Sequence, residues 1–367
     1  MADVVIAGGG VIGCATAYYL AREGASVVLL ERGELASEAS GASAGMLAAL
    51  SGEGADRGAA FEALCDYSLR VYNDLFPELD KTGIDIRRSR TGVLHLALTS
   101  IEADGLRARL AKRAPGTARL LEGEAIQREE PQASRKTVLA LLTDGEEYVD
   151  APSLTRALAK AAQMHGAEVR TNAGVTGFGR TGDKIRGVRT TGGVVEGETV
   201  LLAAGPWTKE LARRLGANVP VRPVRGQMLS LDGPTQPLRQ MIWGTPAYLL
   251  PREDGQTYVG ATVEDVGYRK QTTTAALARM RRGAAALIPA LASAKQRRAW
   301  AGLRPGTPDG LPILGRLPGW QNVWVATGHY RNGILMAPGS SLLMARSLLA
   351  GKLDARLSTF TPERFGD

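Results

Sequence analysis

The chain has 367 residues, enough for two domains and a large core. Its 44% hydrophobic and 22% charged residues are ordinary for a soluble globular protein, and the two cysteines, Cys14 and Cys65, form no CxxC or His–Cys cluster that would suggest a disulfide scaffold or a metal site. The net charge of +8 reads as an arginine-leaning solvated surface: nucleic-acid binding calls for a basic stripe interleaved with aromatics, and only 5% of the residues are aromatic.

The first element is a short apolar run, Asp3–Ala7, which reads as a fully buried strand. The segment lacks the basic start of a secretory signal and carries Asp3, so a cytoplasmic protein without a membrane span is expected. Gly8-x-Gly10-x-x-Gly13 follows. Gly8 permits a tight turn, Gly10 lets a diphosphate approach the backbone, and Gly13 lets helix 11–24 pack closely on the strand. A second strand, Ser26–Leu30, delivers Glu31, which lies 21 residues after Gly10, where a carboxylate can accept hydrogen bonds from ribose hydroxyls. Its charge argues against a 2′-phosphate and hence against NADP, with Arg32 facing solvent beside the adenosine. The small-residue stretch Ala39-Ser-Gly-Ala-Ser-Ala-Gly-Met46 reads either as a flexible linker or as the bed of a diphosphate and ribityl chain, since small side chains allow close backbone contact.

Further on, helices are expected at 59–76, 101–114, 122–129 and 152–166, with strands at 91–99 and 168–171. The glycine-punctuated stretch 176–198 reads as a β-meander. The strand 199–204 runs into Gly205, a turn of the kind that closes over the adenine side of FAD. Strands at 221–231, 247–251 and 257–262 and a helix at 273–288 precede Trp300-Ala-Gly-Leu-Arg-Pro-Gly-Thr-Pro-Asp-Gly310, a strand-to-loop stretch whose geometry Gly and Pro fix. The strand 322–327 then enters a glycine turn and the helix 333–349. A helix N-terminus offers N–H donors and partial positive charge. Two such turns at opposite ends of the chain suit a cofactor with a diphosphate at one end and an electron-rich ring at the other, so FAD is favoured over NAD.

No Ser-His-Asp or Cys-His set stands out, and no acid–base catalyst is assigned. His95 reads as structural, His165 as a surface residue, and His329 belongs to the C-terminal turn. Hydride transfer to flavin N5 works largely by positioning, so this lack is compatible with amine or alcohol oxidation. Arg304 reads either as one half of a structural ion pair or as a bidentate grip on a substrate carboxylate. Arg331 could assist that grip or pair with a neighbour. Tyr248 is either a core aromatic or a hydroxyl donor to the same carboxylate.

The GxGxxG start with Glu31, Ala44-Gly-Met46, the Leu303–Gly310 stretch and Gly328-His-Tyr-Arg-Asn-Gly-Ile-Leu335 together resemble the D-amino acid oxidase superfamily of flavoenzymes. The likeness runs the whole length and points to the glycine oxidase branch, which serves thiamin thiazole synthesis. It implies an α/β fold: a Rossmann-like FAD-binding domain of the D-amino acid oxidase type (1–80, 146–220 and 301–367) interleaved with an antiparallel-sheet α+β substrate domain (81–145 and 221–300). It also implies non-covalent FAD, because neither cysteine lies where related sarcosine oxidases attach flavin. The implied reaction is oxidative deamination of glycine, sarcosine, D-alanine and D-proline, with O2 reduced to hydrogen peroxide. Thiazole synthase is then an acceptor of the imine, and a homo-oligomer is expected. A D-amino acid dehydrogenase passing electrons to a quinone or carrier, or a sarcosine oxidase-like enzyme, would keep the fold. The family's carboxylate-binding arginine matches Arg304, its second substrate arginine Arg331, and its substrate-site tyrosine Tyr248. Its cofactor contacts fall on Val11, Ile12, Glu31, Arg32, Ala39, Ser40, Ala44, Gly45, Met46 and Val175, and on His329, Tyr330, Arg331, Asn332, Gly333, Ile334 and Leu335. Two departures are expected to alter the pocket: Val263 in place of a methionine and Pro246 in place of a polar residue.

Overall fold

A computed structural model describes residues 1–48, 57–111 and 116–366. The first sheet has a parallel core in the order Glu168–Arg170, Val27–Leu30, Ala2–Ala7, Gly193–Leu202, Val323–Thr327, with Ile313–Arg316 antiparallel at its edge. Along Ala2–Ala7, Val4 and Ile6 join one buried cluster while Ala2, Val5 and Ala7 join another. Successive side chains of a strand point to opposite faces, so a strand covered on both sides needs an unbroken apolar run. Helices Val11–Arg22, Ala59–Asp80, Ala151–Met164 and Gly333–Ala350 cover the first face. The antiparallel strands Val175–Thr181 and Lys184–Thr190 cover the second, contributing Phe178, Ile185 and Val188. The meander expected over 176–198 is therefore one layer of a three-layer unit, and Gly193–Leu202 belongs to two layers.

Helix Val11–Arg22 is buried along nearly its whole length, which explains its Ala15, Ala17 and Cys14 where an exposed helix would carry charge. Among the described residues, Tyr330–Ala350 is long and apolar enough to cross a membrane by length and composition, yet 72% of it is buried against the rest of the chain, chiefly helices Val11–Arg22 and Ala59–Asp80. The helix expected at 59–76 continues to Asp80. Pro77 removes one helical bond, and Phe76 and Leu79 on the buried stripe carry the helix past it.

The second sheet runs Gln296–Gly306, Arg222–Asp232, Gln256–Gly260, Ala247–Pro251, Met241–Gly244, Val93–Ala97, Leu139–Thr143, Ala118–Leu121. Only the Met241–Gly244/Val93–Ala97 pair is parallel. Helix Thr274–Leu287, capped where Thr273 Oγ1 accepts from the Ala276 N–H, packs on its back through Met280, Ala284 and Leu287. Arg304, expected at a strand-to-loop junction, lies inside the strand Gln296–Gly306, so a domain boundary between 300 and 301 would cut that strand. Leu139–Thr143, Met241–Gly244 and Ile313–Arg316 were not anticipated; they are short and lack the alternation that marks half-buried strands. The end of the helix expected at 101–114 lies outside the described residues, and the part described spans Ser100–Ala111.

Candidate flavin and substrate site

A cavity of about 620 Å³ runs from the glycine turn after the first strand to the front of the second sheet. Gly8, Gly10, Val11, Ile12, Glu31, Arg32, Ala39, Ser40, Ala44, Gly45, Met46, Val175 and Gly205 line it. Gly13 does not: a Cβ there would overlap the Gly8 carbonyl, so its task is the close packing of helix on strand. Gly8 has φ +123° and Gly45 φ +87°, and side chains at either would run into the backbone of Ala203 or Val149. Helix Val11–Arg22 has no side-chain cap from its own N-cap residue, Gly10. Ser40 comes instead from the small-residue stretch, and its Oγ accepts from the Val11 N–H at 2.9 Å. This stretch is a folded wall of the cavity, which settles the linker alternative.

Glu31 lines the cavity while accepting from the Gly9 and Gly33 N–H groups at 2.7 and 2.9 Å. A carboxylate has about four acceptor positions, so it fixes the turn and retains capacity for ribose hydroxyls. Arg32 is exposed, as expected, and on the surface its guanidinium lies 3.8 Å from the Trp207 ring centre and donates to Glu38 at 2.7 Å.

At the opposite end His329, Tyr330, Arg331, Asn332, Gly333 and Ile334 line the cavity, whereas Leu335 faces the helix core. Helix Gly333–Ala350 begins without a side-chain cap, so its first N–H groups and partial positive charge are available to the cavity. His329 is buried with Nε2 3.1 Å from Ser340 Oγ and Nδ1 unpartnered. Burial pushes its pKa down to about 3, so the imidazole is neutral.

The second sheet supplies the remaining wall. Trp300, Gly302 and Arg304 alternate onto one face of their strand. Arg304 Nη1 donates to the Thr262 carbonyl at 2.9 Å and forms no ion pair among the described residues. Its guanidinium lies over Gly226, where any Cβ would overlap it. Tyr248 stacks on Trp243 with ring centres 5.2 Å apart, and its hydroxyl sits against Gly260, which must also lack a side chain. Burial lowers the Arg304 pKa, Tyr248 opposes that shift, and Arg331 reinforces it. Burial raises the Tyr248 pKa while Arg304 and Arg331 oppose the rise. The three candidate substrate residues thus sit within electrostatic reach of one another, on one cavity. Val263 and Pro246 are exposed and do not line it, so neither reshapes the pocket directly.

The FAD dependent oxidoreductase family matches residues 3–347. The chain belongs to this family. It is 37% identical over 351 residues to a glycine oxidase of Pseudomonas aeruginosa, covering 95% of each chain. It is 35% identical to a bifunctional ThiO/ThiG protein of Trichormus variabilis, covering 99% of this chain and 55% of that one. The crystal structure of glycine oxidase from Geobacillus kaustophilus superposes with a TM-score of 0.91 at 32% identity, covering 99% of this chain and 98% of that one. The expected α/β fold and FAD as cofactor both hold for this flavoenzyme. The glycine turn, the small-residue wall and the uncapped C-terminal helix fit FAD's diphosphate, ribityl chain and ring.

Several cavity residues went unrecognised in the sequence. Trp243 and Met228 sit in apolar strands where a cavity-facing residue looks like any core residue. Arg57 also lines the cavity, its Nη1 buried without a hydrogen-bond partner among the described residues, and nothing in the sequence Ala55-Asp-Arg57 distinguishes it from a surface arginine. Cys65 faces the same space, but burial raises its thiol to about 12, which keeps it protonated.

Proposed function

We propose that this chain is an amino acid oxidase of the glycine oxidase kind, acting on glycine, sarcosine, D-alanine and D-proline. The observation that carries this reading is Arg304: a desolvated guanidinium on the cavity wall, beside Tyr248, with no carboxylate partner among the described residues. An unpaired buried charge is costly unless a ligand supplies its counter-ion. A substrate carboxylate would take the planar fork of Arg304, with the Tyr248 hydroxyl as a further donor. That grip leaves the α-carbon hydrogen as the part of the substrate free to face the flavin. FAD, when bound, accepts two electrons as hydride and returns them to O2 as hydrogen peroxide, leaving an imine. Arg331 and the first N–H groups of helix Gly333–Ala350 stabilise negative charge developing at that end of the cavity. No side chain need act as a base, since the amine reacts in its neutral form.

The imine is consumed in one of two ways, by hydrolysis to an oxo acid and ammonia or by thiazole synthase. The bifunctional relative supports the second route, and a cytoplasmic location suits it. The test is anaerobic mixing of the purified yellow protein with glycine, sarcosine, D-alanine and D-proline, followed by admission of air. Flavin bleaching and then stoichiometric peroxide are expected. A flavin that none of the four amines bleaches refutes the reading, and bleaching without peroxide would mark a dehydrogenase using another acceptor.

A further inference from the structure

The charge balance of the substrate end is uneven. Arg57, Arg304 and Arg331 all line the cavity, and Arg331 lowers the proton affinity of both others, as mutually repelling cations do. None of the three forms an ion pair among the described residues. Glu62 and Asp66 line the cavity near Arg57, yet they are exposed and hold no hydrogen bond to it. The Arg57 guanidinium lies 5.0 Å from the Phe61 ring centre and 5.7 Å from that of Tyr330, so it is held between two aromatic faces. Its Nη1 is buried with no hydrogen-bond partner among the described residues, although such a donor normally finds one.

A small neutral-amine substrate brings one carboxylate, which Arg304 takes. Arg331 stands at the helix end, where negative charge develops during the reaction. Arg57 is then left over, a third guanidinium lining the same space, of a type suited to a second carboxylate. Resting on the amino acid oxidase reading above, we propose that Arg57 selects substrates carrying a second carboxylate, on either the amine substituent or the side chain. A dicarboxylic amine neutralises two of the three cations where a monocarboxylic one neutralises a single cation. Electrostatic complementarity of this kind governs selectivity more than total affinity.

The experiment compares kcat/KM within two matched pairs, using the FAD-loaded protein. Iminodiacetate against sarcosine exchanges an N-carboxymethyl for an N-methyl group, and D-aspartate against D-alanine adds a carboxylate to the side chain. At least one dicarboxylate is expected to exceed its monocarboxylate partner. The Arg57→Gln variant should lower that ratio on the order of tenfold or more, through KM, with Arg57→Lys restoring part of it. The pair that responds identifies which carboxylate Arg57 binds. Competitive inhibition of the wild-type protein by malonate and acetate gives a reading independent of any variant, with malonate expected to bind tighter. Ratios unchanged in Arg57→Gln, or malonate no tighter than acetate, would overturn the proposal while oxidation of glycine left the parent reading standing. Failure of every amine to reduce the flavin would sink both.

Discussion

The two ends of the cavity are built by opposite means. At the end proposed for the diphosphate the cavity wall is mostly backbone, and the residues that shape it are those without side chains, Gly8, Gly10 and Gly45, with Ser40 and Glu31 pinning the turn. At the substrate end they are long charged or aromatic side chains, Arg304, Tyr248, Arg331 and Arg57, placed by strands distant in sequence and by two turns. One end is already satisfied by internal hydrogen bonds. The other holds cations short of counter-ions. A site of the first kind retains a cofactor and a site of the second kind waits for an anion, so substitutions at the two ends should fail differently.

The largest expected effect is at Arg304. Arg304→Leu removes the carboxylate grip while leaving the glycine turns intact, so the protein should still purify yellow. Loss of a desolvated charge pair costs about 2–5 kcal/mol in transition-state binding, which kcat/KM for glycine and D-alanine will register. Unchanged kcat/KM would show that the substrate carboxylate binds elsewhere, and a colourless protein would show that the two ends are not separable.

This contrast also explains what could be seen in the sequence. The diphosphate end is local: strand, GxGxxG, helix and Glu31 fall within thirty-odd residues, and backbone geometry dictates each residue type. The substrate end is assembled across a sheet. Arg304 faces the cavity because Gly226, on the neighbouring strand and 78 positions away, leaves room for it. Tyr248 depends in the same way on Gly260 across the ladder. Neither dependence leaves a mark at the arginine or tyrosine itself, so each could equally have been a core or ion-paired residue. The C-terminal turn lies between these cases, since its glycine and helix are local while the burial of His329 follows from packing around Ser340. Arg57 was invisible because its burial depends on Phe61 and Tyr330, and Tyr330 is distant in sequence.

A paired substitution sharpens the comparison at somewhat smaller magnitude. An added Cβ at Gly226 would meet the guanidinium of Arg304, the far end of a flexible side chain that can move aside. Gly226→Ala should therefore retain fold and FAD yet misplace the carboxylate grip, lowering kcat/KM by roughly 100-fold if the reacting atoms shift by about 1 Å. At Gly8 the same methyl would meet the Ala203 backbone, which cannot yield, at a φ that favours glycine. Gly8→Ala should lose FAD and thermal stability together. FAD content and melting temperature, measured beside kcat/KM, decide between the two patterns. Equal FAD loss from both variants would mean that the ends are mechanically coupled.

The smallest effect expected is at His329, where the two designs meet: a titratable side chain is buried beside the backbone donors of the C-terminal helix. Its folded pKa of about 3 lies below the ordinary value of 6.5. The unfolded chain therefore binds the proton more readily, and stability falls with acidification through the window between those values. At pH 5.5 the loss relative to neutral pH amounts to about 1 kcal/mol. The sign is opposite to that of a histidine held by a carboxylate, which would be stabilised on protonation. Denaturant unfolding at pH 7.5 and 5.5 tests it, with His329→Asn as the reference that lacks the titrating group. Wild type should lose more stability than the variant over this interval. Equal losses would mean that the imidazole reaches a proton or a counter-ion in the folded state, and that the ring end of the cavity is wetter than its packing indicates.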